Sequence, residues 1–264
     1  LRAIEHCSEW SGKEERTGSA RNRSSQQLMH KRNTPYYLAG IVALITFAVY
    51  LPTLRTEFVF WDDSYFVYAD IHIRSLTGAF LRWALFDIST EYWLPLAWLS
   101  HALDYALWDL HPMGHHLSSI LLHAANTFIV VYLIVRLLEA LPDMQAGGSG
   151  TSLPGFSGAK GLSQPSNRRS ILVAAGVTGL LFGLHPLHVE SVAWVSERKD
   201  LLCAFFALLS VLTYIPYAKA MGFEGGYGRL GARLLHKQYV LSFVLFFLAL
   251  ASKPMAVTLP AVLL

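Results

Sequence analysis

Five stretches of the sequence are apolar over most of the length needed to cross a membrane, and this feature limits the fold more than any other. A helix needs about 20 apolar residues to span the hydrocarbon core of a bilayer. Of the 264 residues, 53 % are hydrophobic and 15 % are charged, whereas a soluble domain has about 25 % charged residues. The sequence therefore predicts an all-α polytopic membrane protein. The candidate spans are residues 36–54, 114–138, 171–187, 201–217 and 239–251.

The same composition excludes several other classes of protein. A disordered chain or a nucleic-acid-binding protein would carry far more polar residues, and two cysteines provide no disulfide framework for a secreted module. Residues 36–264 are therefore taken as one transmembrane domain. Residues 255–264 are apolar to the last position, which predicts a helix that continues and a domain that is incomplete at its carboxyl end.

Residues 1–35 are the exception to the apolar bias and are predicted to form a basic cytoplasmic leader. Between residues 16 and 34 there are five basic residues and no acidic one. No apolar segment precedes a small-residue cleavage site, so a secretory signal is not indicated. A basic segment beside a membrane is attracted to anionic lipid, and nucleic-acid binding is the rejected alternative.

The unequal distribution of basic residues orients the chain by the positive-inside rule. With the amino terminus in the cytoplasm, 15 of the 21 Lys and Arg residues lie on the cytoplasmic side. Residues 55–113 then form a long outer loop with three basic and eight acidic residues. The Gly, Ser and Pro residues of segment 143–168 predict that the cytoplasmic loop 139–170 is flexible.

Two helices are predicted within the outer loop. Residues 75–86 have apolar side chains at helical spacing, which predicts an amphipathic helix with its apolar face in lipid. That face is formed by Leu76, Phe80, Trp83 and Ala84. Residues 92–110 contain three tryptophans, which are typical of a bilayer boundary, but also one histidine and two aspartates. We therefore expect a juxtamembrane or re-entrant helix there rather than a sixth crossing.

Ionisable residues collect at the outer ends of the predicted spans. Such groups are costly at membrane depth and usually line a functional cavity. The candidate site residues are Asp62 and Asp63 after the first span, His185, His188 and Glu190 after the third, Arg198 and Lys199 before the fourth, and Lys253 after the fifth.

Several of these polar residues also have an alternative interpretation. The acidic pair could cap an interfacial helix, because Asp accepts hydrogen bonds from free N–H groups at a helix start. His185, His188 and Glu190 could instead bind a divalent cation such as Mg²⁺ or Mn²⁺, since no cysteine or His-Glu-x-x-His pattern supports zinc. The histidines of the second span are expected to form hydrogen bonds between packed helices. They are His115, His116 and His123.

The combination of an acidic pair with Arg and Lys at a membrane surface indicates a particular chemistry. A carboxylate within hydrogen-bond reach of a hydroxyl can act as a general base, and a second acid beside it raises the pKa of one of the pair. Arg198 and Lys199 suit a lipid-borne phosphate, since Arg offers two parallel donors. Together these groups predict a transferase that uses a polyprenyl-phosphate-linked donor.

Several segments resemble the TMTC proteins, the transmembrane and tetratricopeptide-repeat-containing family within the GT-C glycosyltransferase superfamily. The resemblance is carried by the acidic pair after the first span and by the segments LHPLHVESVAWVSERKD and SKPMAVTLP. The segment WLPLAWLSHALDYALWDLHPMGHHLSSILLHAANT is also similar to that family, and the likeness covers about residues 36–264. No tetratricopeptide pattern is found, so the family would place its repeats after residue 264.

This resemblance implies a GT-C-like helix bundle with an amphipathic first outer loop. It also implies an inverting transfer of mannose from a polyprenyl- or dolichyl-phosphate carrier to Ser or Thr of an acceptor protein. Carried over by position, Asp62 matches the catalytic base and Asp63 its acidic neighbour. The donor-binding roles fall to Arg198 and Lys199 at the phosphate, to Glu190, His188 and His185 near the sugar, and to Lys253. This last residue lies in a segment similar to a Lys-Gly-Pro motif but without its Gly.

The alternative function is a non-enzymatic membrane scaffold or a transporter. A transporter would place polar groups near the middle of the bilayer, whereas here they lie at the ends of the spans. A GT-C enzyme of this kind would reside in the endoplasmic reticulum membrane of a eukaryote or in the inner or plasma membrane of a bacterium, with no nucleic-acid partner.

Overall fold

The protein is mainly helical in the part that a computed structural model describes, namely residues 33–87, 92–146, 168–221 and 237–260. None of these residues lies in a strand, which confirms the predicted all-α class. The predicted leader, apart from residues 33–35, and residues 147–167 of the predicted cytoplasmic loop lie outside the described residues. The helices are α1 (Asn33–Arg55), α2 (Gly78–Phe86), α3 (Pro95–Trp108), α4 (Pro112–Ala146), α5 (Arg168–Leu184), α6 (His188–Ala193), α7 (Arg198–Met221) and α8 (Lys237–Ser252).

Three of the described helices are long and apolar enough to cross a membrane, as judged by length and composition. They are α1, the segment Pro112–Glu139 of α4, and Val195–Ala218, which is α7 with the turn before it. The 17-residue α5 and the 16-residue α8 are apolar but shorter. All five predicted apolar spans are therefore helical, and the chain is an integral membrane protein.

Some helices end at other residues than predicted, because local helix propensity and proline decide where a helix stops. α4 continues to Ala146, because Leu, Glu and Ala after residue 136 favour the helix, so the predicted loop starts later. α5 ends at Leu184, since Pro186 cannot donate a backbone hydrogen bond and lies in a turn. The predicted helix 255–264 begins as a 3₁₀ helix over Pro254–Thr258, and its last four residues lie outside the described residues.

Small residues allow α5 to pack closely against α1 and α4. A Cβ atom at Gly179 would collide with Val131 of α4 and would crowd Val42 of α1. A Cβ at Gly183 would likewise meet threonine side chains of both helices. Glycine at these positions lets three backbones approach one another, which is the usual way that membrane helices gain packing contacts.

Helices α7 and α8 pack along each other and are joined by hydroxyl groups within the bundle. The Ser210 hydroxyl donates to the Ser242 carbonyl over 2.8 Å, and the Ser242 hydroxyl donates to the Ser210 carbonyl over 2.9 Å. Both serines are buried. Because Lys253 after α8 pairs with Asp200 near the start of α7, the two helices run antiparallel.

The outer loop has a hydrophobic core of its own, and this corrects one prediction. Thr77 caps α2 by accepting a hydrogen bond from the Phe80 N–H over 3.3 Å. Phe80 and Ala84, which were predicted to face lipid, are buried in a cluster with Trp98 of α3. The apolar face of α2 is thus covered by aromatic side chains of the protein. The exposed apolar residues of this helix lie on another face, at Leu81, Leu85 and Phe86.

α3 is a helix of 14 residues, as the prediction of a juxtamembrane or re-entrant helix requires. At about 1.5 Å per residue it is too short to cross a bilayer. It packs against α2, α4, α7 and α8 and closes one end of the bundle. The ends of α1, α7 and α8 meet at the same place, so the candidate site residues lie at this end.

Candidate functional site

Asp63 is a buried anchor between the outer loop and the start of α7. Its Oδ2 atom accepts a hydrogen bond from the Val59 N–H over 2.9 Å, and its Oδ1 atom accepts one from the Ser196 N–H over 2.8 Å. The side chain is fully buried. It makes no capping bond to the helical turn that follows it, so its carboxylate is used to hold two backbone segments together.

Asp62, the preceding residue, lines a cavity of about 410 Å³ that also contains the Lys199 side chain. Among the residues that the structure describes, the Asp62 carboxylate has no hydrogen-bond donor and no ion-pair partner. The remaining wall of this cavity, which we call the aromatic cavity, consists of Tyr65, Phe66, Tyr92 and Leu94. The structure therefore brings together two of the predicted site residues, the Asp62 carboxylate and the Lys199 ammonium group.

A single π-helical turn, Ser64–Tyr68, shapes one wall of the aromatic cavity. Such turns are rare and often occur at functional sites, because they shift side chains out of the regular α-helical order. Here the turn directly follows the anchored Asp63. Its residues Tyr65 and Phe66 line the cavity beside Asp62.

Lys199 is held in place by Glu197 and by an aromatic ring. The distance from Lys199 Nζ to Glu197 Oε1 is 2.8 Å, and Nζ lies 4.8 Å from the centre of the Phe66 ring. Glu197 Oε2 lies 3.8 Å from Lys253 Nζ, which also pairs with Asp200. The predicted site residue Lys253 is thus linked to the aromatic cavity through Glu197, although it does not line it.

Arg198 lies inside the bundle, in contrast to its neighbour Lys199. Its guanidinium donates hydrogen bonds to the Asp104 carboxylate, to the His115 carbonyl and to the hydroxyls of Ser100 and Ser119. The side chain is 1 % exposed and does not line the aromatic cavity. With its donors used internally, Arg198 ties α3 and α4 to the start of α7 and has no group directed at a carrier phosphate.

The partners of this buried arginine were not among the predicted site residues. Asp104 also accepts a hydrogen bond from the Ser118 hydroxyl over 2.7 Å, and its carboxylate lies 3.6 Å from His115 Nδ1. His101, one turn before Asp104, is fully buried, and neither ring nitrogen has a partner among the described residues. Burial, followed by the charge of Arg198, lowers the pKa of His101 well below its usual value. An aspartate inside an apolar helix was the available signal for a buried arginine partner.

The predicted group around α6 lies apart from the aromatic cavity. His185 is exposed, and half-buried His188 packs 4.7 Å from the Phe182 ring. Burial and the neighbouring His185 lower the pKa of His188. Glu190 lines a different cavity of about 360 Å³. Within the described part of the chain, no three His, Cys, Asp or Glu side chains are grouped so that they could hold a metal ion.

The three histidines of α4 form the helix-packing hydrogen bonds that were expected of them. His115 bonds to the Asp109 carbonyl over 2.9 Å, His116 to the Thr56 hydroxyl over 3.1 Å, and His123 to the Gly183 carbonyl over 3.0 Å. That interpretation is confirmed. The bonds fix α4 to the end of α1, to α5 and to the turn after α3.

These features define the class of the protein. It is a helical membrane protein with several ionisable residues at one end of the bundle, where Asp62 and Lys199 line the same aromatic cavity.

Curated relatives give the family. Protein O-mannosyl-transferase Tmtc1 of Drosophila melanogaster is 31 % identical over 185 residues, which cover 67 % of this chain and 18 % of the relative. Protein O-mannosyl-transferase TMTC4 of Mus musculus is 29 % identical over 201 residues, covering 73 % of this chain and 25 % of the relative. TMTC2 of the same species is 29 % identical over 188 residues, with 67 % and 18 % covered. The chain belongs to the TMTC-type family.

The chain spans no more than a quarter of the length of these relatives. No protein-family model matches it. No solved structure matches it significantly.

Proposed function

We propose that this chain carries the catalytic part of a membrane glycosyltransferase that moves mannose from a polyprenyl-phosphate carrier to Ser or Thr of proteins. The observation that carries the proposal is the aromatic cavity, in which the Asp62 carboxylate has no partner among the described residues and Lys199 is the nearby cation. Relatives named protein O-mannosyl-transferases support the transfer of mannose to protein. The resemblance supports the choice of carrier lipid, and the distribution of basic residues supports the lumenal or periplasmic side.

In the proposed reaction, Asp62 accepts the proton of the acceptor hydroxyl as its oxygen attacks the anomeric carbon of the sugar. The new carbon–oxygen bond forms on one face while the bond to the carrier phosphate breaks on the other, so the anomeric configuration is inverted. The leaving phosphate keeps the bonding electron pair, and the Lys199 ammonium stabilises its charge. Aromatic rings beside the two groups offer flat apolar surfaces for the sugar.

The geometry changes the roles that the resemblance suggested for neighbouring residues. Asp63 positions Asp62 by tying the chain to Val59 and Ser196. The phosphate-binding role passes from Arg198 to Lys199, because only Lys199 lines the cavity. Lys253 acts through Glu197, which it shares with Lys199.

The proposal assigns no role at the sugar to His185, His188 or Glu190. Glu190 lines the second cavity rather than the aromatic one, so we do not place it at the sugar. His188 packs on Phe182, and His185 is exposed at the turn after α5. No step of the reaction is assigned to a divalent cation.

The test is the substitution Asp62→Asn in the full-length protein, assayed for transfer from dolichyl-phosphate mannose to a Ser/Thr peptide. Loss of the base should lower the rate by about 10²- to 10⁴-fold, the usual contribution of such a group. The fold should survive, because the Asp62 side chain makes no hydrogen bond among the described residues. Asp70→Asn is the matched control, since Asp70 bonds only locally to His72 in the same loop. Its activity should stay close to that of the unsubstituted protein.

Full activity of the Asp62→Asn variant would show that Asp62 is not the base. An unsubstituted full-length protein that is folded but inert towards lipid-linked sugars would instead favour the scaffold alternative.

A further inference from the structure

A cavity of about 630 Å³ opens at the turn between α3 and α4. Its lining combines a carboxylate, a guanidinium, an imidazole and two aromatic rings. These groups belong to Asp109, Arg74, His111, Tyr105 and Trp108. We call it the junction cavity. It shares no lining residue with the aromatic cavity, so the proposed reaction does not use it.

Asp109 is held in a backbone conformation that favours glycine. Its φ angle is 53° and its ψ angle is −138°, which strains a residue with a side chain. Its N–H donates to the Tyr105 carbonyl over 2.8 Å, and its carbonyl bonds to His115 Nε2 over 2.9 Å. The fold therefore keeps a carboxylate where glycine would be unstrained. Among the described residues, that carboxylate has no hydrogen-bond donor and no ion-pair partner.

Arg74 supplies the positive charge of the junction cavity. Its Nη2 atom donates to the Tyr68 carbonyl over 2.8 Å, and its guanidinium lies 5.9 Å from the centre of the Tyr105 ring. The bond to Tyr68 uses one of the five N–H donors of the guanidinium, and the side chain is exposed. The group is thus fixed in place with donors left for an anion. His111 is also exposed in the lining and offers a further N–H donor.

The charges of the junction cavity decide which kind of ligand fits it. An anion alone would be repelled by Asp109, and a cation alone would be repelled by Arg74. A ligand that carries a phosphate and an ammonium group a few ångströms apart satisfies both charges. The faces of Tyr105 and Trp108 attract an ammonium group as well. The head group of a zwitterionic phospholipid has this chemistry.

The position of the junction cavity favours a lipid over a soluble zwitterion or a peptide. The membrane-spanning segment of α4 begins at Pro112, beside the cavity. Leu107 is 73 % exposed and Met113 is 45 % exposed, and both line the cavity. Apolar side chains exposed at this depth suit acyl chains, and tryptophans such as Trp108 are enriched at the bilayer boundary. The cavity therefore has a charged part for a head group and an apolar part for its chains.

We infer that the junction cavity binds a zwitterionic phospholipid, such as phosphatidylcholine or phosphatidylethanolamine, from the leaflet that faces the outer loop. Arg74 and His111 hold the phosphate. Asp109 and the two aromatic rings hold the ammonium group, and Leu107 and Met113 contact the acyl chains. The bound lipid ties the outer loop to the membrane surface. The inference goes beyond the proposed function and assigns no step of the transfer.

The experiment measures lipid binding without any sugar donor. The detergent-purified full-length protein is titrated with dioleoyl-phosphatidylcholine, dioleoyl-phosphatidylglycerol or dioleoylglycerol, and bound lipid is counted by native mass spectrometry. Phosphatidylcholine should bind about tenfold more tightly than either of the others, which is the size of one charge-assisted hydrogen bond. Glycerophosphocholine, which has the same head group without acyl chains, should not displace it at equal concentration.

Two substitutions test the two charges separately. Asp109→Asn should fold, because Asn tolerates positive φ angles as Asp does, and it should abolish the preference for phosphatidylcholine over phosphatidylglycerol. Arg74→Gln should weaken the binding of both phospholipids by about tenfold. Arg82→Gln is the matched control, since Arg82 is an exposed arginine of the same loop that does not line the cavity. This control should bind phosphatidylcholine as the unsubstituted protein does.

Three results would overturn the inference. The first is equal binding of the three lipids by the unsubstituted protein. The second is an unchanged lipid preference in Asp109→Asn or unchanged phosphatidylcholine binding in Arg74→Gln. The third is displacement of phosphatidylcholine by glycerophosphocholine or by a peptide carrying Arg and Asp, which would assign the cavity to a soluble ligand. The presence or absence of sugar transfer affects none of these measurements.

Discussion

Arg198 and Lys199 are adjacent in sequence but lie in opposite environments, and substitution of each should have a different effect. Arg198 is 1 % exposed and its guanidinium is paired with the buried carboxylate of Asp104. Arg198→Ala would leave that carboxylate in the protein interior without its counter-ion. Breaking a buried pair by removing one partner costs about 3–5 kcal/mol, so this variant should unfold at a clearly lower temperature.

Lys199→Ala should behave in the opposite way. The lysine lines the aromatic cavity, and its ion pair with Glu197 is only slightly exposed, at 13 % and 14 % of the two side chains. Without Lys199, Glu197 still has a second cation, Lys253, at 3.8 Å, so its charge is not left unpaired. The variant should therefore fold normally, and its KM for the lipid-linked donor should rise.

The assay is thermal unfolding of the detergent-solubilised protein, followed by donor kinetics on the fraction that remains folded. Arg198→Ala combined with Asp104→Ala gives a further check, since removal of both charges should recover part of the lost stability. Arg198→Lys should recover only part, because an ammonium cannot replace the planar guanidinium. If Arg198→Ala unfolds at the same temperature as the unsubstituted protein but uses the donor less well, this reasoning is refuted. Arg198 would then bind the carrier phosphate, as the resemblance suggested.

Two other predictions concern the anchor of the outer loop and the orientation of the chain. Asp63→Asn should destabilise the protein by about 1–3 kcal/mol. Each carboxylate oxygen of Asp63 accepts one backbone N–H, whereas a side-chain amide has a single oxygen and its NH₂ group cannot accept the other bond. The effect is measured by thermal unfolding, and unchanged stability would contradict the anchoring role. For the orientation, Ile71→Cys in a background without the two native cysteines should react with an impermeant maleimide from the outer side. Glu139→Cys should react only after permeabilisation, and labelling of both from one side would contradict the topology.

The helical spans were predictable because apolarity is a local property of the sequence. A run of apolar residues reports the solvent around a helix without any knowledge of its neighbours. In contrast, the sequence does not show whether an apolar helix face contacts lipid or other parts of the protein. Phe80 and Ala84 had the correct spacing for α2, but lipid and a protein core are both apolar, so the sequence could not show that Trp98 covers them.

The division of roles between adjacent charged residues could not be predicted for a geometric reason. Neighbouring residues on an α-helix point about 100° apart, so one of them can face the interior while the next faces a cavity. Which one is buried depends on a partner elsewhere in the chain. For Arg198 that partner is Asp104, and 94 positions separate them in the sequence.

The segment 196–199 shows how closely such divided roles can be combined. The Ser196 N–H is held by Asp63 of the outer loop, and Glu197 joins two lysines from α7 and the end of α8. Arg198 ties α3 and α4 together from inside, while Lys199 reaches the aromatic cavity. Four consecutive residues thus connect four different parts of the fold, and each connection needs its own chemical group. The alternation of buried Ser196 and Arg198 with partly exposed Glu197 and Lys199 therefore holds Lys199 at the cavity that Asp62 also lines, which is the arrangement that the proposed base and phosphate-binding cation require.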